Sequence, residues 1–226
     1  ALARYEDINY MLGYYGKSLE LSFEILKLRE TFLGPEDPLI AESLNKISIS
    51  YRKLRKLEDS LEYGLKAMRL REKILPPDHM DLALSYDNMA KVYEKLGQYE
   101  KSYEIAKKLI AIYEKHLHPF HPLLSRVLND TAITLRENGR KEESMALSRR
   151  AIEIAEKSLD PNHYQRAYCY WTLSETHYKF GEYQEALECM KLNISILQKC
   201  FPPDHPNNEL ALEILAKMEE RVGNNE

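Results

Sequence analysis

Cysteine is nearly absent from this 226-residue chain: only Cys169, Cys189 and Cys200 occur. An odd count without metal-ligand spacing supports neither a disulfide framework nor a zinc site, and it predicts a reduced, cytoplasmic setting. Glycine is scarce too, with eight residues, and no Gly/Ser- or Pro-rich linker divides the chain, so one continuous body is expected. No apolar run reaches the roughly 18 residues that a membrane span needs. The opening stretch Ala1-Leu2-Ala3-Arg4-Tyr5-Glu6-Asp7 lacks the basic start and apolar core of a secretory signal. A net charge of −4 leaves no surplus of cations for a nucleic-acid surface. No phosphate-cradling G-x-x-x-x-G-K-[ST] loop, G-x-G-x-x-G turn, H-E-x-x-H helix or G-x-S-x-G elbow is found. The sequence therefore predicts neither an enzyme nor a cofactor.

What the chain does contain is a repeat. The segments Gly34-Pro-Glu-Asp-Pro, Pro76-Pro-Asp-His-Met, His118-Pro-Phe-His-Pro, Asp160-Pro-Asn-His-Tyr and Pro202-Pro-Asp-His-Pro follow one another at 42-residue intervals. Glycines keep the same register at Gly13, Gly97, Gly139, Gly181 and Gly223, with Arg55 as the exception. A small residue recurs at Ser18, Ser60, Ser102, Ser144 and Ala186. Between the markers the apolar residues fall three and four apart, as in Leu82, Tyr86, Met89, Ala90 and Tyr93, and again in Tyr99, Tyr103, Ala106, Leu109, Ile110 and Tyr113. That spacing predicts two amphipathic helices per unit. The glycine sits where the first helix must stop and the chain reverse. Prolines end the second helix.

These rules place helix pairs at 2–12 and 16–32, 38–54 and 58–74, 80–96 and 100–116, 122–138 and 142–158, and 164–180 and 184–200, with a last helix at 206–222. No such helix buries its stripe alone, so the core must come from stacking unit on unit. The expected organisation is a single array over 1–226: a partial repeat at 1–33, full repeats at 34–75, 76–117, 118–159 and 160–201, and a capping helix or cut-off repeat at 202–226. Apolar residues such as Tyr5 and Ile8 in the incomplete first unit lead us to expect a fragment of a longer protein.

The small residue before Leu61, the Gly-x-Tyr of Gly97-Gln98-Tyr99 and Gly181-Glu182-Tyr183, and the Tyr-x-x-Met-Ala-x-x-Tyr run from Tyr86 to Tyr93 resemble the tetratricopeptide consensus. The 42-residue unit with its Pro-Asp-His linker resembles most closely the variant in kinesin light chains. The resemblance implies an all-α, right-handed superhelical solenoid of helix-turn-helix repeats that binds a protein or peptide along a concave groove lined by the first helix of each unit. Residues on those helices then become the candidate ligand contacts: Asn45 and Arg52; Asn88, Lys91 and Lys95; Arg126, Asn129 and Arg136; and Tyr168, Trp171, Glu175 and Tyr178. Kinesin light chains carry Leu-Asn-Asn-Leu-Ala here. One asparagine of the two persists as Asn45, Asn88 and Asn129, and an amide both donates to and accepts from a peptide backbone. The fourth unit has Trp171-Thr172 instead, and its aromatic residues suit a binding anchor or packing between repeats. Lys91, Lys95, Arg126 and Arg136 form a strip that favours an acidic ligand, unless Asp87, Glu94 and Asp130 among them make a mixed, solvated face.

Two functional readings follow. One is a cytoplasmic adaptor or scaffold with a protein partner. The other is a sensor or regulatory array that contacts its own, larger chain. His79, His121, His163 and His205 share one repeat position with Asp37. Packed helices lie about 8–10 Å apart while zinc needs ligands at about 2 Å, so these residues are expected to cap helices.

Overall fold

The computed structural model describes residues 2–223, which among them form eleven α-helices. The chain divides into two compact units, Ala1–His116 and Leu117–Glu226. The first holds α1 (Leu2–Met11), α2 (Tyr15–Phe32), α3 (Pro38–Lys53), α4 (Leu57–Ile74), α5 (Met80–Lys95) and α6 (Tyr99–His116). The second holds α7 (Pro122–Glu137), α8 (Lys141–Ser158), α9 (Tyr164–Lys179), α10 (Tyr183–Cys200) and α11 (Pro206–Gly223). Every expected helix is present, with ends displaced by one residue at most.

Consecutive helices pack as hairpins, α1 on α2, α3 on α4 and α5 on α6 in the first unit, α7 on α8 and α9 on α10 in the second. First helices also touch the next first helix, α3 against α5 and α7 against α9. Each core is built from the stripes that the spacing outlined. Leu26, Ile40, Leu44, Ile47 and Ala67 meet in the first unit, and Ala167, Leu187, Met190, Ile194, Leu197, Ala211 and Met218 in the second.

The hairpin turns share one hydrogen-bond pattern. Gln98 N–H donates to Tyr93 O at 2.8 Å and Gly97 N–H to Glu94 O at 3.0 Å, the paired closure that satisfies carbonyls left over at a helix end. The pattern requires a left-handed residue, and Gly13, Gly97, Gly139 and Gly181 have φ of 79°, 70°, 76° and 83°. Arg55 makes the same turn at φ 61°, with Lys56 N–H on Tyr51 O at 3.0 Å. Gly223 differs, since it is the last residue of α11. A side chain in this conformation costs about 1 kcal/mol. Arg55→Gly is therefore expected to stabilise the protein by roughly that amount, read as a higher urea midpoint at unchanged slope; an unchanged or lower midpoint would contradict the turn assignment.

The recurring small residue has two reasons. Ser60, Ser102, Ser144 and Ala186 are at most 1% exposed where the second helix crosses the first. The serines donate back across the hairpin, Ser60 to Ser48 O, Ser102 to Ala90 O and Ser144 to Ala132 O, each at 2.8 Å. In the fourth repeat the bond reverses, and Ser174 donates to Ala186 O at 2.7 Å.

The repeat-position histidines cap helices. His79, His121, His163 and His205 each accept through Nδ1 from the backbone N–H two residues on, at 3.1–3.2 Å. Asp37 does the same toward Leu39 at 2.8 Å. These bonds satisfy one of the free donors of a first turn. Cys169, Cys189 and Cys200 are free thiols; burial pushes those of Cys169 and Cys189 up to about 11. No helix among the described residues is long and apolar enough to cross a membrane.

Candidate functional site

In the first unit the face made by α3 and α5 carries a cleft of about 490 Å³. Its walls include Asn45, Ile49 and Arg52 from α3, Leu84, Asp87 and Asn88 from α5, Arg71 from the end of α4 and Leu75 just after it. Leu84 is 53% exposed and Leu39 44%, so apolar ledges alternate with the polar groups of the walls. Three expected contact residues, Asn45, Arg52 and Asn88, thus meet at one place.

Their roles there are unequal. Asn88 is buried at 2% exposure and Asn45 at 7%. The Asn88 amide donates to Ser48 Oγ at 2.7 Å and to Asn45 Oδ1 at 3.4 Å. Its oxygen accepts from Arg52 Nε at 3.1 Å. These bonds tie α3 to α5, so the asparagines hold the seam between repeats and Arg52 stands over it. In the second unit Asn129 is fully buried and donates to Thr172 Oγ1 at 3.0 Å. The spacing is again 43 residues, and the seam is again between first helices.

The strip of cations is matched by carboxylates. Lys91 pairs with Asp87 at 2.9 Å and Lys95 with Glu94 at 3.0 Å. In the second unit Arg126 pairs with Asp130 at 3.1 Å and Arg136 with Glu137 at 2.9 Å. Each bridge spans at most one helical turn, and partly exposed pairs of this kind contribute little to stability. They do cancel the local field, so the face is mixed in sign at these four cations. Lys179 also reaches Glu137 at 2.8 Å. Burial would push Glu137 up, but Lys179 and Arg136 hold its carboxyl below the usual range. Neighbouring Glu175 is raised by burial, against the pull of Arg136.

The aromatic residues of the fourth repeat separate. Trp171 packs against the second core cluster and, with Tyr164, Tyr168, Asn207 and Leu210, lines a smaller cleft of about 120 Å³. Tyr164 stacks over Tyr168 with ring centres 6.2 Å apart. Tyr178 packs on the same core cluster but outside the cleft, edge-on to Tyr183 at 5.3 Å. Trp171 thus packs between repeats and also lines the cleft. Wall residues that escaped the sequence reading include Arg71, Leu75, Tyr164, Asn207 and Leu210. Arg71 had a usable signal, since Arg29 stands 42 residues before it.

Comparison with known proteins decides the family. A tetratricopeptide-repeat model matches residues 39–115, 80–157 and 142–199. The chain belongs to the tetratricopeptide repeat family. No curated protein sequence matches it. Solved structures share the fold. Kinesin light chain-type TPR-like repeats from Podosopora anserina align with a TM-score of 0.78 at 21% identity, covering 89% of this chain and 95% of that one. BtubC (BKLC) from P. vanneervenii aligns at 0.77 and 16% identity, covering 91% and 81%. The apo form of RapI aligns at 0.73 and 16%, covering 86% and 68%. At these identities the likeness is one of fold.

Proposed function

We propose that this TPR array is a cytoplasmic protein-interaction scaffold, and that the first-helix faces of its units hold an extended segment of another protein. The observation that carries this reading is the α3–α5 cleft. It is open and offers both a half-exposed leucine and a guanidinium. Such a mixture suits a peptide, whose side chains alternate in character and whose backbone carries donors and acceptors. The aromatic cleft at Trp171 gives the second unit a comparable anchor, and rigid aromatic residues dominate binding energy once desolvated. The kinesin light chain-type repeats among the structural relatives make a cargo-adaptor role the specific form of the proposal. In it Arg52, Leu84, Tyr168 and Trp171 touch the ligand, while Asn45, Asn88 and Asn129 keep the helices in register.

A peptide-display selection against the intact chain tests this. Selected peptides should bind in fluorescence polarisation, and Arg52→Glu combined with Leu84→Ser should weaken them at least tenfold, about 1.4 kcal/mol, without lowering the melting temperature by more than a few degrees. Peptides that bind wild type and this variant alike would sink the assignment to the α3–α5 face.

A further inference from the structure

The internal repeat allows one position to be compared with itself. Arg29 and Arg71 stand 42 residues apart, each near the end of the second helix of its pair. Arg29 is fully served: Nη1 donates to Leu39 O at 2.6 Å and Ser43 Oγ at 2.7 Å, and Nη2 lies 3.4 Å from the Glu42 carboxylate. Arg71 retains only the serine, donating from Nη1 to Ser85 Oγ at 2.7 Å. Its counterpart of Glu42 is Leu84. Among the described residues no carboxylate reaches ion-pair distance of Arg71, although the residue is 5% exposed. Burial pushes its pKa down, partly offset by the more distant Asp81 and Glu42, yet a guanidinium stays charged. A buried cation without a counter-ion is costly, and this one lines the open α3–α5 cleft.

Charges around that cleft are otherwise assigned. Glu42 faces Arg29 at 3.4 Å and Lys46 at 3.8 Å; Lys46 is held by Glu6 and Asp7 at 3.0 and 2.7 Å. Asp87 pairs with Lys91. The Asp81 side chain is 56% exposed and lies 3.8 Å from His79 Nδ1. Two guanidiniums are left, Arg71 on Ser85 and Arg52 on the neutral amide of Asn88. Neither is ion-paired among the described residues.

We infer that the α3–α5 cleft is a receptor for an acidic side chain, an aspartate or glutamate of the bound segment, whose carboxylate takes at Arg71 the place that Glu42 fills at Arg29, with Leu84 supporting an apolar neighbour. Guanidinium and carboxylate match as a planar, two-bonded pair. The inference rests on the peptide-scaffold reading, so two measurements separate them. The first compares labelled 15-residue peptides of alternating Leu-Glu and Leu-Gln on the intact chain. The Glu peptide is expected to bind at least tenfold more tightly, and Arg71→Met should reduce that ratio to near one. A ratio of one in wild type, or one unmoved by Arg71→Met, overturns the inference while the groove stands. The second needs no peptide. Leu84→Glu should supply the missing carboxylate from within, raising the melting temperature in low salt and doing so only while Arg71 is present. No rise, or an equal rise in the Arg71→Met background, overturns the unpaired-cation reading. If neither peptide binds while Leu84→Glu stabilises, the scaffold reading fails and the unpaired cation remains.

Discussion

Gly64→Leu is expected to destabilise the first unit by about 3 kcal/mol, the upper range for overpacking a closed core. Gly64 lies in the middle of α4, where glycine is intrinsically unfavourable by up to about 1 kcal/mol against alanine. Its reason for being there is the close approach of α3 and α5. A Cβ at this position would stand 2.4 Å from Met89 Sδ and 2.8 Å from Ser48 Oγ. Methionine can swing aside, because a thioether side chain is adaptable. Ser48 cannot, since its hydroxyl donates to Ser60 O at 2.7 Å and accepts from the Asn88 amide. Even Gly64→Ala should then lose stability, by about 1 kcal/mol, because overpacking outweighs the helix-propensity gain. Gly16 is the control. It is helical, has nothing within 4 Å of its would-be Cβ, and Gly16→Ala should be neutral or stabilising by about 0.5 kcal/mol. Urea melts give the magnitudes, and amide exchange gives the location. In a repeat array stability is set by nearest neighbours, so the α3–α5 amides should lose protection first. Equal effects at Gly64 and Gly16 would mean that the helices can part at no cost.

Gly64 also marks the limit of what the sequence discloses. The turn glycines were legible because their cause is local: a left-handed residue closes each hairpin, and four of the five hairpin turns carry glycine there. The caps were legible for the same reason, as Asp37 and the histidines act on an N–H two residues away. Gly64 follows no glycine register, since its counterpart one repeat on is Ala106. The cause there is a contact across three helices, and only packing reveals it. The inner face shows a similar divide. The resemblance together with the spacing put Asn45, Arg52 and Asn88 on first helices, where they meet at one cleft, yet neither could tell a residue pointing out of the seam from one pointing along it. A polar residue at the edge of an apolar stripe fits both. Charge was legible in part: Asp87, Glu94 and Asp130 stood among the cations as a possible mixed face, and side-chain geometry pairs them with Lys91, Lys95 and Arg126 and adds Glu137 on Arg136.

The asparagines supply the second large effect. If they bound a ligand from a solvated floor, Asn88→Leu would leave stability alone and weaken binding. The seam geometry predicts the reverse order. Leucine nearly matches asparagine in size but neither donates nor accepts, so the swap strands Asn45 Oδ1 and Arg52 Nε and removes the third bond of Ser48. Two buried or half-buried polar atoms left unpaired, at about 1–3 kcal/mol each, outweigh the modest gain from burying a larger apolar side chain. Arg52 can turn toward water and recover part of that loss. A net loss of about 2–3 kcal/mol is expected for Asn88→Leu. Asn129→Leu should cost less, about 1 kcal/mol, because Asn129 makes one bond, to Thr172, and its Oδ1 is buried without a partner. The comparison of the two discriminates more sharply than either alone, since a uniform role along the groove would give equal effects. Asn88→Leu should also change the ligand only indirectly. Releasing Arg52 from the Asn88 oxygen leaves its charge in place, so affinity for an acidic peptide, corrected for the folded fraction, should fall less than in the Arg52→Glu variant. A stable Asn88→Leu protein that no longer binds peptide would return the asparagine to the ligand and take the seam role away from it.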